Sequence, residues 1–144
     1  MTHAPGSGVV VALFRCPGHR EPMEPLPPVY AETDRGFPGD SHARPGSSRQ
    51  ILLMDVETLE ALGLSPGAVR ENITLQGIPL TDLRLGDGLQ VGEAVLEITR
   101  PCTPCGRMDE TRPGLQKALR GRRGMLARVL QGGWIRRGDP VRWR

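Results

Sequence analysis

Leu89-Gln-Val-Gly-Glu-Ala-Val-Leu-Glu-Ile-Thr99 is the stretch that decides the fold class. Leu89–Val91 reads as one strand and Ala94–Thr99 as a second, joined by Gly92-Glu93. A glycine in a two-residue connection suits the tight turn of a hairpin. In the second strand Ala94, Leu96 and Ile98 alternate with Val95, Glu97 and Thr99. A period of two belongs to a strand, so the first set is expected to face a core.

Downstream the hairpin runs into Ile98-Thr-Arg-Pro-Cys-Thr-Pro-Cys-Gly-Arg-Met-Asp109. Two thiols, Cys102 and Cys105, thus lie just beyond a buried strand. Pro101 and Pro104 hold this backbone extended, because each fixes its own φ and disfavours helix in the residue before it. Arg100 and Arg107 bracket the thiols with positive charge, which favours thiolate, the nucleophilic and metal-binding form. Cys105 is read as the reactive atom. The alternative is a pair of half-buried structural cysteines, since cysteine is among the most buried residue types.

Upstream, Val9–Phe14, Val29–Thr33 and Ile51–Met54 are short apolar runs with strand character. Asp55 can cap a short helix over Val56–Leu62, with Gly63 ending it. Pro66-Gly67 is a turn. In Val69–Leu75, read as a strand, Arg70, Asn72 and Thr74 would share one face. That face could read the edge of a polar ring, or be the solvent side of an edge strand. Pro113–Leu119 reads as a short helix, and Met125–Leu130, Trp134–Arg136 and Val141–Trp143 as a closing meander. Gly86-Asp87 and Gly138-Asp139 are turns. Six to eight short strands with one or two small helices predict a mainly β barrel or strongly curled sheet.

Composition agrees. The 144 residues suit one domain, residues 9–144, after a disordered tail at 1–8. Apolar residues are 38% and aromatic residues 3%, so the core must be aliphatic. Nineteen glycines and 14 prolines are spread among apolar runs, which indicates turns rather than disorder. The formal net charge of +3 does not by itself argue for nucleic acid, and Arg120, Arg122 and Arg123 read as a solvated basic loop without stacking aromatics. No run approaches a membrane span, and the start lacks a signal pattern. Three cysteines cannot all pair within one chain, so a cytoplasmic protein with reduced thiols is expected.

Two loops carry further candidate chemistry. Cys16–Pro28 is a proline-punctuated surface loop in which Cys16 and His19 could ligate a metal. Asp34–Gln50 is a long polar loop that concentrates Asp40, His42, Arg44, Ser47, Ser48 and Arg49. Loops of that length are often functional, and these hydroxyls and guanidiniums suit an anion such as phosphate. A solvated flexible loop is the competing reading.

Taken together, several segments resemble the MOSC domain, the C-terminal module of molybdenum cofactor sulfurases. They are Gly39-Asp-Ser-His42, Ser48-Arg-Gln50, Pro66-Gly67, Arg70-Glu-Asn-Ile-Thr74, Leu85-Gly-Asp87, Val91-Gly92, Pro104-Cys105 and Gly138-Asp-Pro-Val141. The resemblance spans about Val9 to the end and implies a MOSC-type β-barrel with a few short helices. It also implies that Cys105 ligates molybdenum or accepts sulfur. Asp40, His42, Ser48, Arg49, Arg70, Asn72, Thr74 and Arg107 would bind the cofactor, molybdopterin. The family is also associated with pyridoxal phosphate, although no aminotransferase-like half is present here. Many members carry arginine where this chain has Cys102, so Cys102-x-x-Cys105 raises a disulfide or a resolving thiol.

Three functions stay open from these residues. One is a molybdenum-dependent oxidoreductase component, which would require a separate reductase because no flavin or iron–sulfur motif is present. Another is a non-catalytic persulfide or cofactor carrier, whose sulfur would come from a partner such as a cysteine desulfurase. The last is a Cys-x-x-Cys thiol redox protein, disfavoured by the β-rich setting and by Pro104. A structural zinc would need ligands from elsewhere in the fold. Neither nucleic acid nor a membrane is an expected partner.

Overall fold

The computed structural model describes residues 7–18, 20–103 and 108–144. In chain order the elements are β1 Ser7–Arg15, β2 Glu24–Pro25, β3 Val29–Ala31, β4 Ile51–Asp55, α1 Val56–Ala61, β5 Ile73–Gln76, a 3₁₀ turn Leu80–Asp82, β6 Gly88–Val91, β7 Ala94–Pro101, α2 Met108–Thr111, α3 Leu115–Ala118, β8 Met125–Gln131, β9 Gly133–Ile135 and β10 Pro140–Trp143. Pairing runs β10–β6–β7–β8–β4–β5–β1, and β1 returns to β10. Seven strands therefore close into a barrel, which removes the open edges a flat sheet would leave. Outside it, β2 folds back on β1, and β3 pairs with β9 as a separate ribbon.

The hairpin at residues 89–99 forms as its alternation predicts. Val91 pairs with Ala94 across Gly92-Glu93, and Gly92 adopts φ +57°. Ala94, Leu96 and Ile98 are fully buried. Val95 is buried too, because the β7–β8 register shifts between Val95 and Leu96 and breaks the strict alternation.

β4 is apolar on both faces. Ile51 and Leu53 join the barrel core with Leu13, Ile73, Leu89 and Leu96. On the other side, Met54 joins a smaller cluster of Leu59, Val69, Met108, Leu115 and Leu119, which seats the three short helices against the barrel wall. Asp55 caps α1 by accepting from the Thr58 N–H at 2.9 Å. The β4–β5 pair is parallel, so the chain must cross over between them. That crossover, made by α1 and the following turns, delivers residues 70–72 to the start of the β4–β5 ladder.

Four expectations are corrected here. Ser7 and Gly8 belong to β1, because they pair with Arg142 and Val141 of β10. The segment from Val69 to Leu75 is not one strand: Arg70 adopts φ +64° and β5 begins only at Ile73, so Arg70, Asn72 and Thr74 do not share a face. The last three strands form no meander. β8 pairs with β7 and β4, β9 with β3, and β10 with β6 and β1, because the barrel and the ribbon each draw one of them away. A helix also precedes Pro113, which splits Met108–Thr111 from Leu115–Ala118.

Candidate functional site

Outside the barrel, over the β4–β8 pair, lies a cavity of about 140 Å³ lined by His42, Arg49, Leu52, Arg70, Asn72, Cys102, Met108, Arg123 and Leu126. Its floor is apolar, since Leu52 and Leu126 are cross-strand partners. Its walls carry three guanidiniums and an imidazole. Such a mixture, a greasy base under convergent cations, suits a molecule with a flat apolar part and an anionic end.

Asp40 organises one wall without facing the cavity. Its residue is 5% exposed, and Oδ1 accepts from the Cys16 N–H at 2.7 Å and from Asn72 Nδ2 at 3.0 Å. Oδ2 accepts from the His42 N–H at 3.0 Å. Asn72 is equally committed. Its Oδ1 accepts from the Leu52 N–H at 2.9 Å, and Nδ2 also donates to Phe14 O at 3.3 Å. The Asn72 N–H in turn donates to Leu52 O, so this residue extends the parallel ladder by one step. These two side chains are braces: their donors and acceptors are spent on the fold.

Arg70 is partly a brace as well. Nη2 donates to Gly18 O at 3.1 Å and Glu21 O at 2.8 Å and lies 3.1 Å from Cys16 Sγ. Ser41 Oγ reaches the same sulfur at 3.4 Å. The left-handed backbone at Arg70 carries a cost that the surrounding turn sustains, a feature that concentrates at functional sites.

His42 is half exposed, with Nδ1 3.8 Å from Asp40 Oδ2. Burial holds its pKa below the usual 6.5; Asp40 opposes this, while Arg49, Arg70 and Arg44 add to it. The ring is therefore neutral near pH 7, and the contact with Asp40 is no ion pair. The cations that disfavour its proton are the same ones that would draw an anion. A bound anion would reverse their effect, so affinity should rise as pH falls through and below 6.5. For sulfate, whose own charge is constant in this range, a gain of about threefold to tenfold between pH 7.5 and 5.5 is expected, or about 1 kcal/mol, the net scale of one partly exposed hydrogen bond. His42→Gln should flatten that profile. A flat wild-type profile would remove His42 from the anion site.

Two residues expected at the site lie elsewhere. Thr74 is buried, with Oγ1 donating to Glu71 Oε2 at 2.7 Å, and it does not line the cavity. Ser48 does not line it either; its carbonyl accepts from Thr99 Oγ1. Both displacements follow from the broken alternation around Arg70 and from the loop's own internal bonds. The Asp34–Gln50 loop is not a solvated arm: Phe37 and Gln50 are fully buried, and the Gln50 amide donates to Asp34 Oδ1 and Arg44 O. Cys105, Arg107 and His19 lie outside the described residues. Among the described residues, no three His, Cys, Asp or Glu side chains are grouped to hold a metal ion.

Arg123 is the residue the sequence reading missed. Expected on a solvated loop, it is 7% exposed, and its Nε and Nη1 have no hydrogen-bond partner among the described residues. Beside it the Cys102 N–H donates to Gly124 O at 2.9 Å, which pins the start of the cysteine loop to this arginine. Met108 closes the cavity from the far side of that loop. The signal available in sequence was Gly124, a residue that lets the chain turn inward just before a buried strand.

A sequence profile of the MOSC domain matches residues 40–142. The structure is similar to the YuaD protein from Bacillus subtilis, with a TM-score of 0.81 and 20% identity over 94% of each chain. It is also similar to YiiM from Geobacillus stearothermophilus, with a TM-score of 0.69 and 25% identity over 97% of this chain and 74% of that one. YiiM from Escherichia coli gives a TM-score of 0.74 at 17% identity, covering 97% and 70%. No curated protein sequence matches the chain. No helix among the described residues is long and apolar enough to cross a membrane.

Proposed function

Because the chain belongs to the MOSC domain family, a family associated with molybdenum cofactor, we propose that it holds that cofactor with its phosphate end in the cavity over Leu52 and Leu126. The observation that carries this reading is the convergence of Arg49, Arg70, Arg123 and His42 on one small space. The fit is to the anionic end of a phosphorylated pterin. At about 140 Å³ the cavity is smaller than a usual whole-ligand pocket. Arg123 keeps buried donors, Nε and Nη1, with no partner among the described residues, and such an anion would satisfy one of them.

In this reading each described residue has a separate task. Arg49 and Arg123 supply the charge that offsets the phosphate, and Arg70 adds to it while holding the Cys16–Glu21 loop. His42 takes up a proton when the anion arrives. Leu52, Leu126 and Met108 exclude water from around the phosphate end. Asp40 and Asn72 keep the walls in register. Cys105 is assigned as the thiolate that meets the metal. In support, Cys102 and Met108, which flank its segment in sequence, both line the cavity. When bound, molybdenum cofactor supplies two-electron redox chemistry at a soft-ligand metal. Turnover would then draw electrons from a separate reductase.

A second reading keeps the same site but makes Cys105 a persulfide carrier. It is favoured by the half-buried Cys102, three residues before it, whose placement beside Arg123 suits a resolving thiol. Sulfur would come from a partner such as a cysteine desulfurase.

Metal and persulfide content separate these readings. Protein from a host that makes molybdenum cofactor should carry near-stoichiometric molybdenum by elemental mass spectrometry. Cys105→Ser should lose it and Cys16→Ser should not. Persulfide without molybdenum, again lost only in Cys105→Ser, would select the carrier. Equal loss in both variants would refute the assignment of Cys105.

A further inference from the structure

Arg123 faces a second space. A cleft of about 390 Å³ adjoins the smaller cavity and shares Cys102 and Arg123 with it. This volume lies in the usual range for a whole small molecule. Leu80, Leu83, Pro101 and Met125 give it an apolar lining. Asp55 also lines it, but Asp55 Oδ2 is engaged by the Thr58 N–H at 2.9 Å and the Thr58 hydroxyl at 2.6 Å. Arg122 lines the rim with Nη2 donating to Ala118 O at 2.7 Å. Arg123 alone among these presents buried donors with no partner.

The chemistry of that guanidinium matters. Nε and Nη1 stand on different edges of a planar group, so one two-oxygen anion cannot cap both in a single fork. An arginine with a free donor on each edge, set between two cavities, can serve one anion on each side. Leaving such donors buried and unsatisfied is costly, and native structures rarely do so without a ligand or water to meet them.

We propose that the larger cleft binds a small organic carboxylate whose apolar body lies along Leu80, Leu83 and Met125 and whose carboxylate meets Arg123. Arg123 is the buried guanidinium of this cleft, set beside its apolar residues, while the exposed Arg120 and Arg122 stand at the rim. One buried guanidinium matches one negative charge on a greasy body. Cys102 would sit at the ligand's charged end, at the boundary with the neighbouring cavity. The site depends on these walls alone and not on bound molybdenum.

The test compares 4-phenylbutyrate with its neutral amide, titrated calorimetrically against the purified full chain. The carboxylate should bind saturably and at least about tenfold more tightly than the amide, the scale of a charge-assisted hydrogen bond out of water. Arg123→Gln should bring the two within about twofold of each other, and Arg122→Ala should leave the preference intact. Equal binding of acid and amide by the wild type overturns the proposal, as does an undiminished preference in Arg123→Gln. Should Arg123→Gln fail to fold, alkylation of wild-type Cys102 by iodoacetamide, followed by peptide mass, decides. The carboxylate should slow it several-fold and the amide should not; equal rates with either ligand overturn the assignment.

Discussion

Asp40→Ala is expected to lower stability by about 3–5 kcal/mol, read as the shift of the urea midpoint at constant slope. Three donors converge on this one carboxylate: the Cys16 and His42 N–H groups and Asn72 Nδ2. Alanine would leave the Cys16 N–H buried without an acceptor and Asn72 Nδ2 with only the longer bond to Phe14 O, and each buried donor that loses its partner costs on the order of 1–3 kcal/mol. Damage would also spread, because Asn72 is what ties Leu52 to the start of β5. Asp40→Asn should fall between, since an amide keeps one acceptor but turns a donor toward a donor. A loss under about 1 kcal/mol for alanine would mean that water reaches this wall and that Asp40 is free to meet a ligand.

Gly124→Ala should cost at least about 3 kcal/mol and open the site as well. Gly124 holds φ +113°, and an added Cβ would run into the Leu53 carbonyl of β4. Gly121→Ala is the matched control. It sits at φ +77° with nothing within 4 Å of the added atom, so it reports the dihedral cost alone, about 1–2 kcal/mol. The difference between the two combines the close approach of backbone to backbone with the dearer dihedral at φ +113°. Because Gly124 O accepts from the Cys102 N–H, the same substitution should loosen the cysteine loop. Faster alkylation of Cys102 in Gly124→Ala than in Gly121→Ala would show it. Equal stability losses would mean that β8 can shift away from β4 at little cost.

Much of the barrel was legible because it is written in local terms. The 89–99 hairpin needs only an alternating pattern and a glycine at the turn, and α1 needs only Asp55 before an apolar-periodic run. What stayed hidden is what depends on partners far along the chain. Nothing in Met125–Trp143 says that its three strands go to three different places; that is settled by the need to close a barrel. Arg70 hides a left-handed backbone that only the packing of the Pro66–Glu71 turn imposes. The site shows the same division. His42, Arg49, Arg70 and Asn72 were named from sequence and line one cavity, with Asp40 behind its wall, but their separate duties were not readable. Asp40 and Asn72 look like ligand-binding polar residues until their hydrogen bonds are traced and found already filled. Arg123 was misassigned for the opposite reason. In a run of basic residues a solvated face is the ordinary outcome, and burial of one member depends on a glycine whose backbone fits against another strand.

The seam between β1 and β10 pairs residue 7 with residue 142. Loop closure over nearly the whole chain is entropically the most demanding contact the molecule makes, and such contacts slow folding. During synthesis the first strand waits: its β5 partner emerges first, but its β10 edge stays unpaired until residues 140–142 have been made. Until then the nascent chain carries an exposed strand edge, which is the state most open to pairing with another chain. Ser7 and Gly8 at that edge, opposite Arg142 and Val141, carry no apolar side chain and keep the waiting strand from being a uniformly greasy one.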